Sequence, residues 1–126
     1  MKYSFYVAIL VLWMSACTKD PKLEGLDIEQ WKADRGACTG IRTKHIDLLK
    51  RQKESLRGAT ANALGEYLGK PDIHQLTDRN QKYYVYFLEA GTQCQDIKSA
   101  SKSLTMAIRF SAMGMATEVT FQHGMP

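Results

Sequence analysis

The feature that most constrains the fold is a pair of alternating segments near the end of the chain. Apolar residues occupy every second position over residues 103–111, and the same period returns over residues 115–122. Successive strand residues point to opposite faces of a sheet, so this period predicts two strands with one buried face each. The connection between them is short and contains Gly114, which predicts an antiparallel hairpin.

A further strand is predicted over residues 82–89, KYYVYFLE, because this segment is rich in aromatic and apolar residues. Both of its faces are apolar, which indicates a central position in the sheet. A polar loop over residues 90–102 separates it from the hairpin.

The first half of the chain instead has helical periodicity. Asp27 can cap a first helix, a second covers about residues 41–56, and Thr60 can cap a third that ends at Gly69. Helices followed by an antiparallel sheet indicate an α+β fold. We therefore expect two or three N-terminal helices packed on one face of a three- to four-stranded antiparallel sheet.

The beginning of the chain, MKYSFYVAILVLWMSAC, has the layout of an export signal. Its apolar run has about ten residues, fewer than the ~20 that a spanning helix requires. Residues 14–17, Met-Ser-Ala-Cys, resemble a bacterial lipobox, in which the cysteine is acylated and becomes the new N-terminus. This predicts a lipoprotein signal peptide over residues 1–16, an acylated Cys17 with a tether over residues 17–26, and a single domain over residues 27–126.

The alternatives are an ordinary cleaved signal, with Cys17 incidental, and a retained N-terminal helix. Thr18, rather than an acidic residue, follows Cys17. By resemblance to bacterial envelope lipoproteins, this favours the outer membrane as the location.

Charge gives little support to a nucleic-acid partner. The chain has 17 Lys+Arg against 13 Asp+Glu, and removal of residues 1–16 deletes only Lys2, which leaves 16 against 13. An excess this mild and evenly spread is not the basic patch that phosphate binding requires.

The sequence contains three cysteines, an odd number that needs an explanation. With Cys17 acylated, Cys38 and Cys94 remain, and one pair has only one connectivity. Disulfides persist in oxidising compartments outside the cytoplasm, so we predict a Cys38–Cys94 disulfide. The alternative is two free buried thiols.

No residue pattern indicates catalysis, a metal site or a cofactor. The histidines have no metal-ligand spacing: His45, His74 and His123. There is no glycine-rich phosphate loop or nucleophile elbow. Solvated surface charge is the expected role of the scattered carboxylates: Glu66, Asp72, Asp78 and Glu89. We therefore expect a protein that is not an enzyme.

One dense aromatic cluster is the candidate partner-binding site: Tyr83, Tyr84, Tyr86 and Phe87. Some of these rings are expected to fill the core between sheet and helices. Those on the opposite face would form a platform for a protein or a lipid headgroup.

Residues 57–72, RGATANALGEYLGKPD, followed by the tyrosine-rich strand and the hairpin, resemble BamE/SmpA-type outer-membrane lipoproteins and β-lactamase-inhibitor-like domains. The resemblance covers residues 58–122 and implies the same α+β core. Known members of that family are not enzymes; they assist outer-membrane barrel assembly or bind other envelope proteins. This chain departs from the pattern at Ala59, in its extra segment over residues 27–56, and in its cysteine pair with a longer loop before the hairpin.

The sequence thus leads to a non-catalytic, membrane-anchored envelope lipoprotein that binds another envelope protein as an accessory or assembly factor. The alternative is a binder of a small molecule, lipid or glycan, or an inhibitor of a secreted enzyme. A concave pocket lined by tyrosines would favour the alternative, and a flat sheet face would favour protein binding.

Overall fold

The structure, a computed structural model, describes residues 19–126, so the predicted signal peptide and Cys17 lie outside the described residues. The α-helices are α1 (Ile28–Ala33), α2 (Ile46–Gln52) and α3 (Ala61–Leu68). The strands are β1 (Ile73–Thr77), β2 (Gln81–Phe87), β3 (Leu104–Phe110) and β4 (Ala116–His123). The predicted α+β fold is confirmed, with helices before a four-stranded antiparallel sheet.

The sheet has the order β1-β2-β3-β4, so β1 and β4 are its two edges. The predicted hairpin is β3–β4, with Ile108 opposite Val119. Strand β1 had no sequence signal of its own. It pairs with β2, with Ile73 opposite Val85, across a turn in which Arg79 and Asn80 both have positive φ.

The helix caps follow the sequence. The Asp27 carboxylate accepts a hydrogen bond from the Gln30 amide, and the Thr60 hydroxyl accepts one from the Ala63 amide. The predicted helix over residues 41–56 is instead broken into 3₁₀ turns at Arg42–His45 and Lys53–Leu56 on either side of α2. Tertiary hydrogen bonds hold the first turn, because the Arg42 amide donates to the Asp34 carboxylate.

The core lies between the helices and one face of the sheet. The fully buried side chains there include Trp31, Leu49, Leu56, Leu64, Leu68, Tyr86, Met106 and Ile108. These residues occupy one helical stripe and alternate strand positions, which is how the two periods in the sequence form a single core.

The domain begins earlier than predicted, which corrects the tether over residues 17–26. Leu23 is only 3% exposed and belongs to the core. Its amide donates a hydrogen bond to the Tyr67 hydroxyl oxygen at 2.7 Å, and Glu24 and Gln52 exchange two hydrogen bonds. An apolar anchor and satisfied backbone groups make residues 21–26 part of the folded unit.

The second face of the sheet, called here the outer face, is partly covered by the end of the chain. The Thr105 hydroxyl donates to the Gly124 carbonyl at 2.8 Å. The Gln75 side-chain amide, through Nε2, donates to the Pro126 carbonyl at 3.3 Å. Gly124 directly follows β4, whereas Gln75 lies on β1, so residues 124–126 cross the outer face from one edge towards the other. Val85 and Ala107 beneath are buried.

Candidate functional site

The predicted aromatic platform is largely interior, which corrects that expectation. Tyr86 and Phe87 are fully buried. Tyr86 donates to the Gly69 carbonyl at 2.8 Å, and burial raises the pKa of its phenol. Tyr84 is half-buried, with its ring centre 4.7 Å from that of Phe110. Only Tyr83 and Tyr84 retain exposed surface, because β2 is a central strand covered on both faces.

The Cys38–Cys94 disulfide is confirmed. It joins the turn after α1 to the loop between β2 and β3, at the end of the sheet opposite the β3–β4 hairpin. Buried Gln93 supports the same junction by donating to the Gly36 carbonyl at 3.0 Å and to the Glu89 carbonyl at 2.7 Å. The N-terminal segment is therefore fastened to this loop both covalently and by hydrogen bonds.

A buried ion pair lies beside the disulfide junction. Arg42 Nη1 is 2.6 Å from Asp72 Oδ2, and both side chains are almost fully buried. The Asp72 carboxylate also accepts hydrogen bonds from the Gly36 and Phe87 amides. The expected role of Asp72 as solvated surface charge is therefore wrong, and no local pattern predicts its pairing with Arg42 because the two residues are 30 positions apart.

Arg42 is enclosed on every side by protein. Its guanidinium lies 4.5 Å from the Trp31 ring centre and donates to the Trp31 carbonyl. Its amide and both donors of Thr39 bond to the Asp34 carboxylate. Burial raises the pKa of Asp34, but these hydrogen bonds outweigh it and leave that pKa below its usual value. A network so fully satisfied is a structural centre and offers no group to a substrate.

Among residues 19–126, no cluster of three or more His, Cys, Asp and Glu side chains is arranged to hold a metal ion. No helix in this part of the chain is both long and apolar enough to cross a membrane.

The best candidate for a binding site is a groove of about 420 Å³ along the edge of β1. Strand β1 forms one wall, residues 97–100 and Met125 form the other, and Phe87 contributes to the lining. We call this the edge groove. Ile73, Gln75 and Phe87 project to the outer face, so the groove lies on that face at the β1 end of the sheet.

The edge groove collects exposed apolar surface. In the described part of the chain, five large apolar side chains are exposed by more than a third. Two of them line the groove from the outer face, and a third belongs to its β1 wall but projects to the helix side of the sheet. They are Leu76 at 62%, Ile97 at 37% and Met125 at 36% exposure. Clustered apolar exposure marks an interaction site more often than scattered residues do.

The backbone of β1 is also available. Within residues 19–126, its amides and carbonyls bond to β2 and to no other segment. The Gln75 side-chain carbonyl oxygen, Oε1, is buried beside the groove and has no hydrogen-bond partner. A buried acceptor without a donor is costly, and it is satisfied if an occupant supplies an N–H.

The opposite edge, β4, carries protective charges that β1 lacks. Lys50 lies 5.9 Å from the Phe121 ring centre, and Arg57 donates to the Thr117 carbonyl at 3.0 Å. Lysines and arginines beside an edge strand discourage pairing with another chain. Strand β1, IHQLT, contains no lysine or arginine, so the two edges differ in their availability.

Comparison of this chain with protein families, with curated proteins and with solved structures finds no match in any of the three.

Proposed function

We propose that this chain is a non-catalytic lipoprotein of the bacterial envelope, anchored through Cys17, that binds an extended segment of another envelope protein in the edge groove. The segment adds to the sheet as a fifth strand beside β1. This mode of recognition obtains affinity from backbone hydrogen bonds and specificity from side-chain contacts on alternate positions.

The observation that carries the proposal is the coincidence of three features at one place. The unpaired edge of β1 lies beside the unpartnered Gln75 Oε1, with exposed apolar side chains on both faces: Leu76 on the helix side, and Ile97 and Met125 on the outer face. Each feature is unfavourable in a free protein, and one extended apolar peptide relieves all three.

The register of β1 specifies the chemistry of the occupant. His74 and Leu76 project to the helix side of the sheet, whereas Ile73 and Gln75 project to the outer face near Ile97. A strand beside β1 therefore meets apolar surface on both faces, and apolar residues are favoured at successive positions. Lys98 at the rim favours an acidic residue at one end of the segment.

The anchor and the location complete the proposal. The lipobox-like Met-Ser-Ala-Cys supports acylation of Cys17, and Thr18 supports the outer membrane. Two or more acyl chains make anchoring stable, where a single chain gives only marginal binding. The resemblance to BamE/SmpA-type lipoproteins supports a role for this chain as an accessory or assembly factor of its partner.

Photo-crosslinking on the full chain in living cells tests the binding site. A benzophenone amino acid replaces Leu76 or Ile97, on the two sides of the proposed strand, and the control position is Arg51, which is exposed on α2. We expect positions 76 and 97 to crosslink to the same short segment of one protein, and position 51 to give no such product. The proposed site would be contradicted if position 51 gave the same crosslinked product in the same yield, or if positions 76 and 97 gave no product.

The anchor is tested separately. Cys17→Ser in the full chain removes the acylated sulfur, so the protein should leave the membrane fraction. Mass spectrometry of the wild-type protein should show diacylglyceryl on Cys17. Retention of the Cys17→Ser variant in the membrane fraction would refute anchoring through an acylated Cys17.

A further inference from the structure

The first described residue, Lys19, lies at a defined end of the molecule. Its ammonium donates to the Glu54 carbonyl at 3.1 Å. Its side chain also passes Gly58, since a Cβ placed on Gly58 would lie 3.8 Å from Lys19 Cδ. The chain therefore enters the domain beside the junction between the Lys53–Leu56 turn and α3.

The tip of the β3–β4 hairpin lies at the same end. The Gly58 amide donates to the Ala116 carbonyl at 2.8 Å, and the Ala61 amide donates to the Gly114 carbonyl at 2.9 Å. These two backbone hydrogen bonds fix the hairpin tip against the segment that Lys19 contacts.

This tip presents apolar side chains to solvent on a rigid turn. Met113 is 88% exposed and Met115 is 37% exposed. The Gly114 amide donates to the Ser111 carbonyl at 2.9 Å and the Ser111 amide to the Met115 carbonyl at 2.8 Å, so the turn is closed on itself. Gly114 has φ +78, a conformation that glycine adopts without strain.

We propose that this end is a membrane-contact surface, on which Met113 and Met115 enter the headgroup region of the bilayer that holds the anchor. The inference rests on the proposed acylation of Cys17. Only Thr18 lies between Cys17 and Lys19, and the two Cα–Cα steps that join them span at most about 7 Å. Residues 21–26 are packed against the domain and add no length to this connection. The segment between the acylated cysteine and the domain is therefore too short for any other end of the domain to reach the bilayer.

The charges around the tip are compatible with this surface. Arg79 in the β1–β2 turn and Lys82 at the start of β2 lie at the same end, because Lys82 is opposite Phe110 in the sheet. Cations near an anionic leaflet are attracted to it. Asp78 offsets part of this charge, so the apolar tip is the main contributor and the cations support it.

The alternative occupant of the tip is a protein, and vesicles of defined composition discriminate between the two. The probe is the full acylated chain carrying Met113→Trp, reconstituted in vesicles of zwitterionic and anionic phospholipid with bromine on the acyl chains. Trp31 is fully buried in the core and provides a constant background. Gln95→Trp is the matched control, because Gln95 is exposed in the loop at the opposite end of the sheet and does not line the edge groove.

For Met113→Trp we expect a blue shift of the tryptophan emission and its quenching by the brominated lipid, and for Gln95→Trp we expect neither. Unchanged emission at position 113 in protein that floats with the vesicles would overturn the membrane contact and leave the anchor intact. Absence of an acyl mass on Cys17 would instead refute the anchor, and the membrane contact with it.

Discussion

The buried guanidinium of Arg42 shows how single residues hold this domain together. It bridges three parts of the chain: the Trp31 carbonyl of α1, the Asp72 carboxylate before β1, and the Phe87 carbonyl at the end of β2. A buried charge is tolerated only when it is paired and hydrogen bonded, and here both conditions are met. The network specifies how the N-terminal segment docks on the sheet.

Removing one partner of this pair should be strongly destabilising. Asp72→Ala leaves Arg42 buried without a counter-charge and orphans the Gly36 and Phe87 amides. We expect the free energy of unfolding to fall by about 3–5 kcal/mol, measured by chemical denaturation. The control is Glu54→Gln at the exposed Arg57–Glu54 pair, which should leave the unfolding midpoint unchanged. Equal effects at both pairs would refute the structural role of the network.

Asp34 predicts an acid-dependent component of stability. Its pKa is lower in the folded state than in the unfolded chain, where an aspartate titrates at about pH 4. Its contribution is therefore complete above that value and is lost as the pH falls through the folded pKa. Asp34→Asn should lose less stability than the wild type between pH 5 and about pH 3, measured by urea unfolding at each pH. Parallel pH profiles would contradict this assignment.

At the scale of elements, the sequence predicted what local chemistry determines. The alternating period located β3 and β4, and Asp27 and Thr60 capped the expected helices. Strand β1 was missed because IHQLT is short and lacks a clean alternation, and its pairing with β2 determines its structure. The helix over residues 41–56 was predicted as continuous because no local signal reveals that Arg42 bonds to distant groups.

The edge of β1 gives a prediction that separates binding from stability. Leu76 is 62% exposed, so Leu76→Lys should change the free energy of unfolding by no more than about 0.5 kcal/mol. The lysine should nevertheless abolish crosslinking from position 97, because a charge on an edge strand opposes strand addition. Thr117→Lys, at an exposed position on β4, is the matched control and should leave the crosslink intact. Loss of the crosslink in both variants would count against β1 as the docking edge.

At the scale of the whole molecule, exposed apolar surface is divided between two places. Among the described residues, the five most exposed large apolar side chains are three at the β1 end of the sheet, on its two faces, and two at the hairpin tip. The sequence pointed instead to the aromatic strand, because composition indicates apolar character and not exposure. The disulfide was predictable from the cysteine count once Cys17 was assigned to the lipid and the domain to an oxidising compartment. The edge groove instead required the sheet order and the path of residues 97–100.

The disulfide should account for a large part of the stability of the molecule. Cys38 and Cys94 are separated by 56 positions, and closing a loop of this size is worth about 4 kcal/mol in the chain-entropy account. The double variant Cys38→Ser with Cys94→Ser should unfold at lower urea by about that amount, with the Arg42–Asp72 pair still holding the native fold. Addition of reductant to the wild type should give the same loss. An unfolding midpoint that responds to neither change would contradict a stabilising role of the disulfide.

Pairing of an extended segment with β1 is tested by amide hydrogen exchange on the full chain, with and without the partner segment identified by crosslinking. We expect slower exchange at the edge-facing amides within residues 73–77, and no change along β4 at residues 118–122. The unchanged edge is the internal control. Slowed exchange at β4, or none in β1 despite binding, would contradict strand addition, and the latter would favour a side-chain or small-molecule occupant of the edge groove.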